Sequence, residues 1–291
     1  MMLRKVFLLL LLSVIVLTGL ATDRALLVGI GQYDRMKTGW STIHGDNDVA
    51  LLQPLLEKRG FKDIVTLTNE QATKAMIVEA LTALARRCVA GDRVYFHFSG
   101  HGQPVRDDNH DEEKTKKYDE SIIPYNACRD SRKINGTYTG QYHLIDDELC
   151  PLLDAIKNKV SPDGELFVAV DACFSRGIQK DEISDIDPEL LRYIRGTDYA
   201  FTPPGRITVK KPKQFTPGAK LTVVTACKET ERNIEYKAPS GKMYGSLSYY
   251  IYLLLKTDAD FNRWRQCFAE KSYRNRGIFQ SVQHPSIEVF P

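Results

Sequence analysis

The chain has 291 residues, of which 26% are charged, with a formal net charge of +3. Lys+Arg 40 against Asp+Glu 37 leaves no basic excess for a phosphate backbone, which argues against nucleic acid as the main partner. The 6 cysteines follow no disulfide framework and no Cys-x-x-Cys spacing, so neither a disulfide scaffold nor a zinc ribbon is indicated.

The N-terminus reads as a targeting segment. Arg4 and Lys5 precede an apolar run from Val6 to Leu20, and Gly19-Leu20-Ala21 supplies small residues for cleavage before Thr22. The run is short against the roughly 20 residues of a membrane span, so a cleaved secretory signal over 1–21 is favoured and an uncleaved anchor is the alternative. Loss of Arg4 and Lys5 takes the charge from +3 to +1. The expectation is a secreted or extracytoplasmic protein with no stable membrane span after signal cleavage. In that oxidising setting Cys88, Cys128, Cys150, Cys227 and Cys267 could pair; five is odd, so they cannot all do so while Cys173 stays free.

From residue 22 onward, strands and helices alternate, which predicts an α/β domain with a mainly parallel sheet covered on both faces. Ala25–Val28 reads as a buried strand. A helix from about Asp46 follows, with Val49, Leu52 and Leu56 on one face and Pro54 expected to kink or shorten it. Ile64–Leu67 is a second strand. Met76, Ala80, Leu81 and Leu84 have helical spacing, and Gly91-Asp92 leads into a strand over Arg93–Phe98. Residues 103–117 are charged and irregular. Asp146–Lys159 reads as a helix, Leu166–Val170 as a strand, Leu221–Thr225 as another, and Ser246–Lys256 as an apolar helix. Residues 185–220, rich in Pro, Gly, Lys and Arg, form a long aperiodic connection of the kind that is functional or disordered.

Two strands deliver chemistry at their ends. Val168-Ala169-Val170-Asp171-Ala172 leads to Cys173, and Val94-Tyr95-Phe96-His97-Phe98-Ser99-Gly100 leads to His101. Open parallel sheets place their sites at the carboxyl ends of strands. A free thiol ionises near pH ~8.5, and a neighbouring imidazole raises its reactive fraction. Cys173 is therefore the candidate nucleophile and His101 the candidate acid and base. The backbone N–H groups of Gly102 and Cys173 are the candidate oxyanion donors. His97 is expected to be packed or hydrogen-bonded. His44, His110, His143 and His284 lack ligand spacing, so zinc is not indicated. Asn135-Gly136-Thr137 is a glycosylation sequon.

Six ordered segments carry a family resemblance: Ala25–Gly31, Gly45–Val49, Ser99–Gly102, Tyr118–Pro124, Ile145–Glu148 and Asp171–Ser175. Together they resemble the caspase-like cysteine peptidases, and metacaspases in particular, from Ala25 to about Tyr252. One departure is Cys173-Phe174-Ser175-Arg176-Gly177, where the family usually has Cys-His-Ser-Gly. The resemblance implies a caspase-like sandwich. Residues 22–183 would carry His and Cys, 184–220 would be a basic linker, and 221–291 would form a small-subunit-like part.

The resemblance further implies a Cys–His dyad acting on protein or peptide substrates, in a monomer without an organic cofactor. It places Asp48, Ser99, Gly45 and Asp171 around the pocket for the residue preceding the cut bond (P1). Two carboxylates there would attract Arg or Lys and repel an acidic side chain. Asp119, Asp146 and Asp147 match carboxylates that bind Ca²⁺ in calcium-dependent members. Asp181 is the fourth candidate if Arg176 counts as an insertion. Asp107-x-Asn109-x-Asp111 lacks the Gly and Glu of an EF-hand loop and is rejected. An enzyme cutting after basic residues could cut itself at Arg192, Arg195, Arg206, Lys210, Lys211 or Lys213. Two alternatives use the same cleft: a catalytically silent peptide-binding module, supported by the altered Cys-Phe-Ser-Arg-Gly loop, and a peptide ligase or transpeptidase.

Overall fold

The computed structural model describes residues 20–106, 118–134, 136–174, 189–197, 199–204, 215–281 and 283–291. The described chain opens with β1 (Asp23–Gly29), a one-turn helix α1 (Arg35–Thr38) and α2 (Gly45–Lys58). β2 (Asp63–Thr68), α3 (Lys74–Arg87) and β3 (Arg93–Ser99) follow. Three short strands, β4 (Gly102–Arg106), β5 (Tyr118–Ile122) and β6 (Leu144–Ile145), precede α4 (Asp146–Val160) and β7 (Glu165–Asp171). Beyond the connection lie β8 (Lys220–Thr225), β9 (Tyr236–Lys237), β10 (Met243–Tyr244), α5 (Ser246–Thr257), α6 (Phe261–Ala269) and β11 (Ser286–Phe290).

The main sheet has six strands in the order β11-β8-β7-β3-β1-β2. Only its edge strand β11 is antiparallel; the other pairings are parallel. Alternation along each strand builds the two faces, because successive side chains point oppositely. In β1, Leu26 and Val28 join Phe96, Leu81 and Ile156 in the core under α3 and α4. Ala25 and Leu27 join Tyr95, Phe167, Leu52, Ile251 and Trp264 under α2, α5 and α6. A fully buried side chain of this kind contributes about 1.5–3 kcal/mol relative to exposure. The result is a sandwich of helices around a mostly parallel sheet, the class expected from the alternation of elements.

Pro54 does not shorten its helix: α2 runs through it to Lys58. Its ring lies on the exposed side, so what it removes is one backbone donor rather than packing. The first residues of the segment read as irregular, Gln103–Arg106, belong to strand β4. It pairs antiparallel with β5, which pairs with β6, in a second, three-stranded sheet. The six cysteines are free thiols. No helix among the described residues is long and apolar enough to cross a membrane.

Candidate active site

Strand register brings the two candidate reactive residues together. β3 and β7 are parallel neighbours with Ser99 opposite Asp171, and His101 and Cys173 each lie two residues beyond that pair. The approach is close: a Cβ on Gly102 would stand 2.5 Å from the Cys173 carbonyl oxygen. Only a residue without a side chain lets the two strand ends meet there.

His101 is buried and held on several sides. Its ring stacks on Trp40 at 4.7 Å and packs against Tyr33 at 5.0 Å. The Tyr33 hydroxyl accepts from the His101 backbone N–H at 3.1 Å and donates to the Ile123 carbonyl at 2.8 Å. The ring Nε2 lies 2.9 Å from the Ser41 carbonyl, an acceptor that can be met only by Nε2–H. The neutral ring therefore keeps its lone pair on Nδ1. Nδ1 is buried without a hydrogen-bond partner among the described residues. Burial pushes the imidazole down to about 4, so it stands as a free base at neutral pH.

Across the cleft lies the chain's own segment around Arg195. The Arg195 carbonyl accepts from both Gly102 N–H (2.9 Å) and Cys173 N–H (3.1 Å). These are the two donors expected for an oxyanion. Immediately after it, a Cβ on Gly196 would stand 2.8 Å from the Cys173 Cβ and 3.1 Å from its Sγ. In this state the Cys173 thiol donates to the Glu231 carbonyl at 3.5 Å. The segment also pairs like a strand: Arg195 N–H donates to the Asn233 carbonyl at 3.0 Å, and Ile194 bridges Ile234 antiparallel.

The Arg195 side chain fills a fully buried acidic pocket. Its Nη2 donates to Asp48 Oδ2 at 2.9 Å and to Glu235 Oε1 at 2.7 Å. Its Nη1 donates to Ser99 Oγ and to the Asp171 carbonyl at 3.2 Å, with Asp171 Oδ1 at 3.8 Å. Burial disfavours the guanidinium, but Asp171, Glu235 and Asp48 outweigh it and hold its pKa above the ordinary value. Of the carboxylates, Asp48 yields most: burial pushes it up to about 7, against the pull of Arg195. The pocket walls are themselves braced. Asp171 accepts from Asn233 Nδ2 (2.7 Å) and from Ser248 N–H (2.8 Å) and Oγ (2.7 Å). Asp48 accepts from Ser99 Oγ (2.5 Å) and Gly245 N–H (2.9 Å).

The structure thus brings Asp48, Ser99, Asp171, His101, Gly102 and Cys173 into one cleft. Gly45 stands behind it at the start of α2, where a Cβ would meet the Ser99 carbonyl at 2.4 Å. Glu235 was not singled out from the sequence, and His44 was weighed only as a metal ligand, for which it lacks the spacing. Cys227 is another such neighbour: a hydrogen bond with Cys173 and burial push its thiol well up. His97 is buried between Tyr95 OH (2.7 Å) and Ser248 Oγ (3.0 Å), packed as expected.

Asp119, Asp146 and Asp147 each offer a carboxylate oxygen, all within 4.8 Å of one another. Three hard oxygen donors at that spacing suit Ca²⁺. They are tied to the catalytic side through β5, whose continuation Ile123 donates its N–H to the His101 carbonyl at 3.0 Å. Asp181, Arg206, Lys210, Lys211 and Lys213, with the sequon residue Asn135, the Asp107–Asp111 run, His110 and most of the N-terminal segment, lie outside the described residues.

Buried histidines give this fold a pH dependence. His97 and His101 are pushed down to about 4 and His143 to about 3, each by burial. Between pH ~6.5 and ~4 the unfolded chain binds protons at these rings that the folded chain does not, so stability falls as pH falls. Asp48 acts oppositely, keeping a proton that the unfolded chain releases above about pH 4. His44 is raised, chiefly by Glu235, and acts above the window. Three rings against one carboxylate predict a loss of about 2–4 kcal/mol from pH 6.5 to 4.5. Urea unfolding of the Cys173→Ala chain at the two pH values checks it; equal midpoints would refute the balance.

A caspase-like sandwich with a strand-end cysteine and histidine over an acidic pocket is what these residues build. The comparisons agree: the family model "Metacaspase, peptidase C14 domain" matches residues 23–180, and the chain belongs to that family. It is 32% identical over 161 residues to Metacaspase-1 of Mycosarcoma maydis, covering 52% of this chain and 35% of that one. Metacaspase-2 of Arabidopsis thaliana is 29% identical over 218 residues, 70% of this chain and 45% of the relative. The matches therefore span about a third to a half of these relatives' length. A crystal structure of a Geobacter sulfurreducens protein shares the fold, with TM-score 0.60 and 17% identity over 92% of this chain and 93% of its own.

Proposed function

We propose that the chain is a cysteine endopeptidase hydrolysing peptide bonds after arginine or lysine, and that one bond it cuts is its own Arg195–Gly196. The observation that carries this reading is the placement of Arg195. Its side chain fills the acidic pocket, its carbonyl takes both oxyanion donors, and the following residue abuts the Cys173 sulfur. That is the register of a substrate on a cysteine peptidase.

The residues divide the work as follows. His101 Nδ1 takes the Cys173 proton, and the sulfur attacks the carbonyl carbon. The oxygen gathers negative charge between Gly102 N–H and Cys173 N–H, where fixed donors are worth most. The C–N bond breaks as His101 returns the proton to the leaving amine, here that of Gly196. A thioester on Cys173 remains. Water, deprotonated by His101, attacks it and frees the thiol and a new carboxylate. The altered segment after the nucleophile is compatible with this chemistry as far as it is described: Phe174 packs on the core. A silent binding module would hold Arg195 in the same pocket and leave the Arg195–Gly196 bond intact, so a new N-terminus at Gly196 separates the two readings. Transfer to an amine instead of water would leave a ligated product of different mass.

The reading includes export, on the strength of the N-terminal apolar segment, action on protein or peptide substrates, a monomeric state, and a calcium requirement. Asp119, Asp146 and Asp147 would hold the ion, and its charge would let the three carboxylates sit together without repulsion. With calcium, the protein is expected to turn over an arginine peptide at least several-fold faster than with chelator, and Asp146→Asn to weaken the half-maximal calcium concentration about tenfold. A calcium titration of rate and of thermal midpoint checks both; an Asp146→Asn curve overlying the wild type would remove the site.

The test of the function is direct. Fluorogenic peptides differing only in Arg, Lys or Asp at P1 are incubated with the full chain, and the chain itself is sequenced from new N-termini. Cleavage after Arg and Lys with a fragment beginning at Gly196 supports the reading. Cleavage only after Asp, or labelling of Cys173 by a thiol probe without any turnover, would end it.

A further inference from the structure

We propose that Glu235, held by His44, is the residue that makes this pocket select arginine over lysine; the inference rests on the reading of the Arg195 cleft as the P1 pocket. The acceptors around Arg195 are arranged for two nitrogens, not one. Nη2 lies between Asp48 Oδ2 and Glu235 Oε1, while Nη1 faces Ser99 Oγ and the Asp171 carbonyl. Nε, two atoms nearer the backbone, is buried with no hydrogen-bond partner among the described residues. A lysine ammonium would end at the depth of the guanidinium carbon, about 1.3 Å short of the Nη positions. There it would face one set of acceptors at a time and leave the rest without a donor. Unpaired buried acceptors are what convert a polar pocket into a selective one.

Glu235 is the member of the set whose position is most deliberately fixed. It is fully buried, its Oε2 lies 2.6 Å from His44 Nδ1, and its Oε1 also accepts from the His44 backbone N–H at 2.8 Å. The carboxylate is thus clamped at both oxygens by one residue and turned toward Nη2. It follows Asn233 and Ile234, which pair with the bound segment, so the same stretch that aligns the backbone also supplies the acid. Arg195 and His44 hold Glu235 ionised against its burial. Asp48, by contrast, is shared with Ser99 and Gly245 and has less charge to offer. His44 is a positioning residue here; it touches Glu235 and, by its ring, Tyr193 at 5.1 Å.

The experiment compares kcat/KM for two peptides identical except for Arg or Lys at P1, using the full chain, Glu235→Gln and His44→Gln. The wild type is expected to favour arginine by about tenfold or more, the effect of one charge-assisted hydrogen bond. Glu235→Gln should lower the arginine peptide about tenfold more than the lysine peptide, and His44→Gln should shift the ratio in the same direction by less. A second readout needs no access from outside: the Arg195→Lys chain should release the Gly196 fragment about tenfold more slowly than wild type, a gap that Glu235→Gln narrows. Equal losses for both peptides, or an unchanged ratio, would reduce Glu235 to a structural role and overturn the inference alone. A wild type that cuts neither peptide nor itself would overturn the peptidase reading with it.

Discussion

Cys173→Ala is expected to abolish turnover of arginine peptides, by on the order of 10⁴-fold or more, and to leave the chain uncut between Arg195 and Gly196. Both losses follow from one atom. The bound segment already enjoys its pocket and its oxyanion donors, so everything except the nucleophile survives the substitution. Ground-state binding without a covalent step gives affinity and no rate. The variant should also fold: the site is 1% exposed, and removing one sulfur from it costs little next to opening the Arg195 pocket. His101→Ala should lose as much, because the two residues act as a unit and their effects do not add. Peptide kinetics and intact mass on the same samples check this. A Cys173→Ala chain that still released the Gly196 fragment would assign the cut to another protease.

The main sheet and its reactive ends were legible because they obey local rules. Apolar runs of strand length, each ending in Gly or a small residue, placed Cys173 and His101 at carboxyl ends, and the register of β3 on β7 then brings those ends together. Asp48 and Asp171 were legible by resemblance. Other parts carried no comparable signal. β11 is an edge strand whose burial follows no clean alternation, and α6 has only 9 residues to display the helical spacing of Phe261, Trp264 and Phe268. Glu235 lies among Lys228, Glu229, Glu231, Arg232 and Lys237, a run that reads as solvated charge, yet it is fully buried. His44 was set aside for lacking metal-ligand spacing, a criterion blind to a histidine that clamps a carboxylate. Arg195 was one candidate cut site among six; nothing local marks which basic residue of a linker folds back 22 positions beyond the nucleophile. Burial of charge is a tertiary fact, settled by partners distant in sequence.

The same burial makes Arg195→Glu the most informative change outside the reactive pair. A glutamate there would bring a fourth carboxylate against Asp48, Asp171 and Glu235, where the wild type brings the cation that all three share. Losing one partner of a buried charge set costs about 3–5 kcal/mol, and like charge adds to it. The segment should therefore leave the cleft, and cleavage after residue 195 should fall by at least about 100-fold. The emptied pocket admits water and substrate, so the intact Arg195→Glu chain should cut an added arginine peptide faster than the wild-type chain does before it is processed. An early time course separates the two, with Cys173→Ala as the zero. If the arginine peptide is cut no faster, Arg195 does not cover the site. If the Gly196 fragment still accumulates at the wild-type rate, the pocket does not read residue 195, and the register drawn from its carbonyl and guanidinium is wrong.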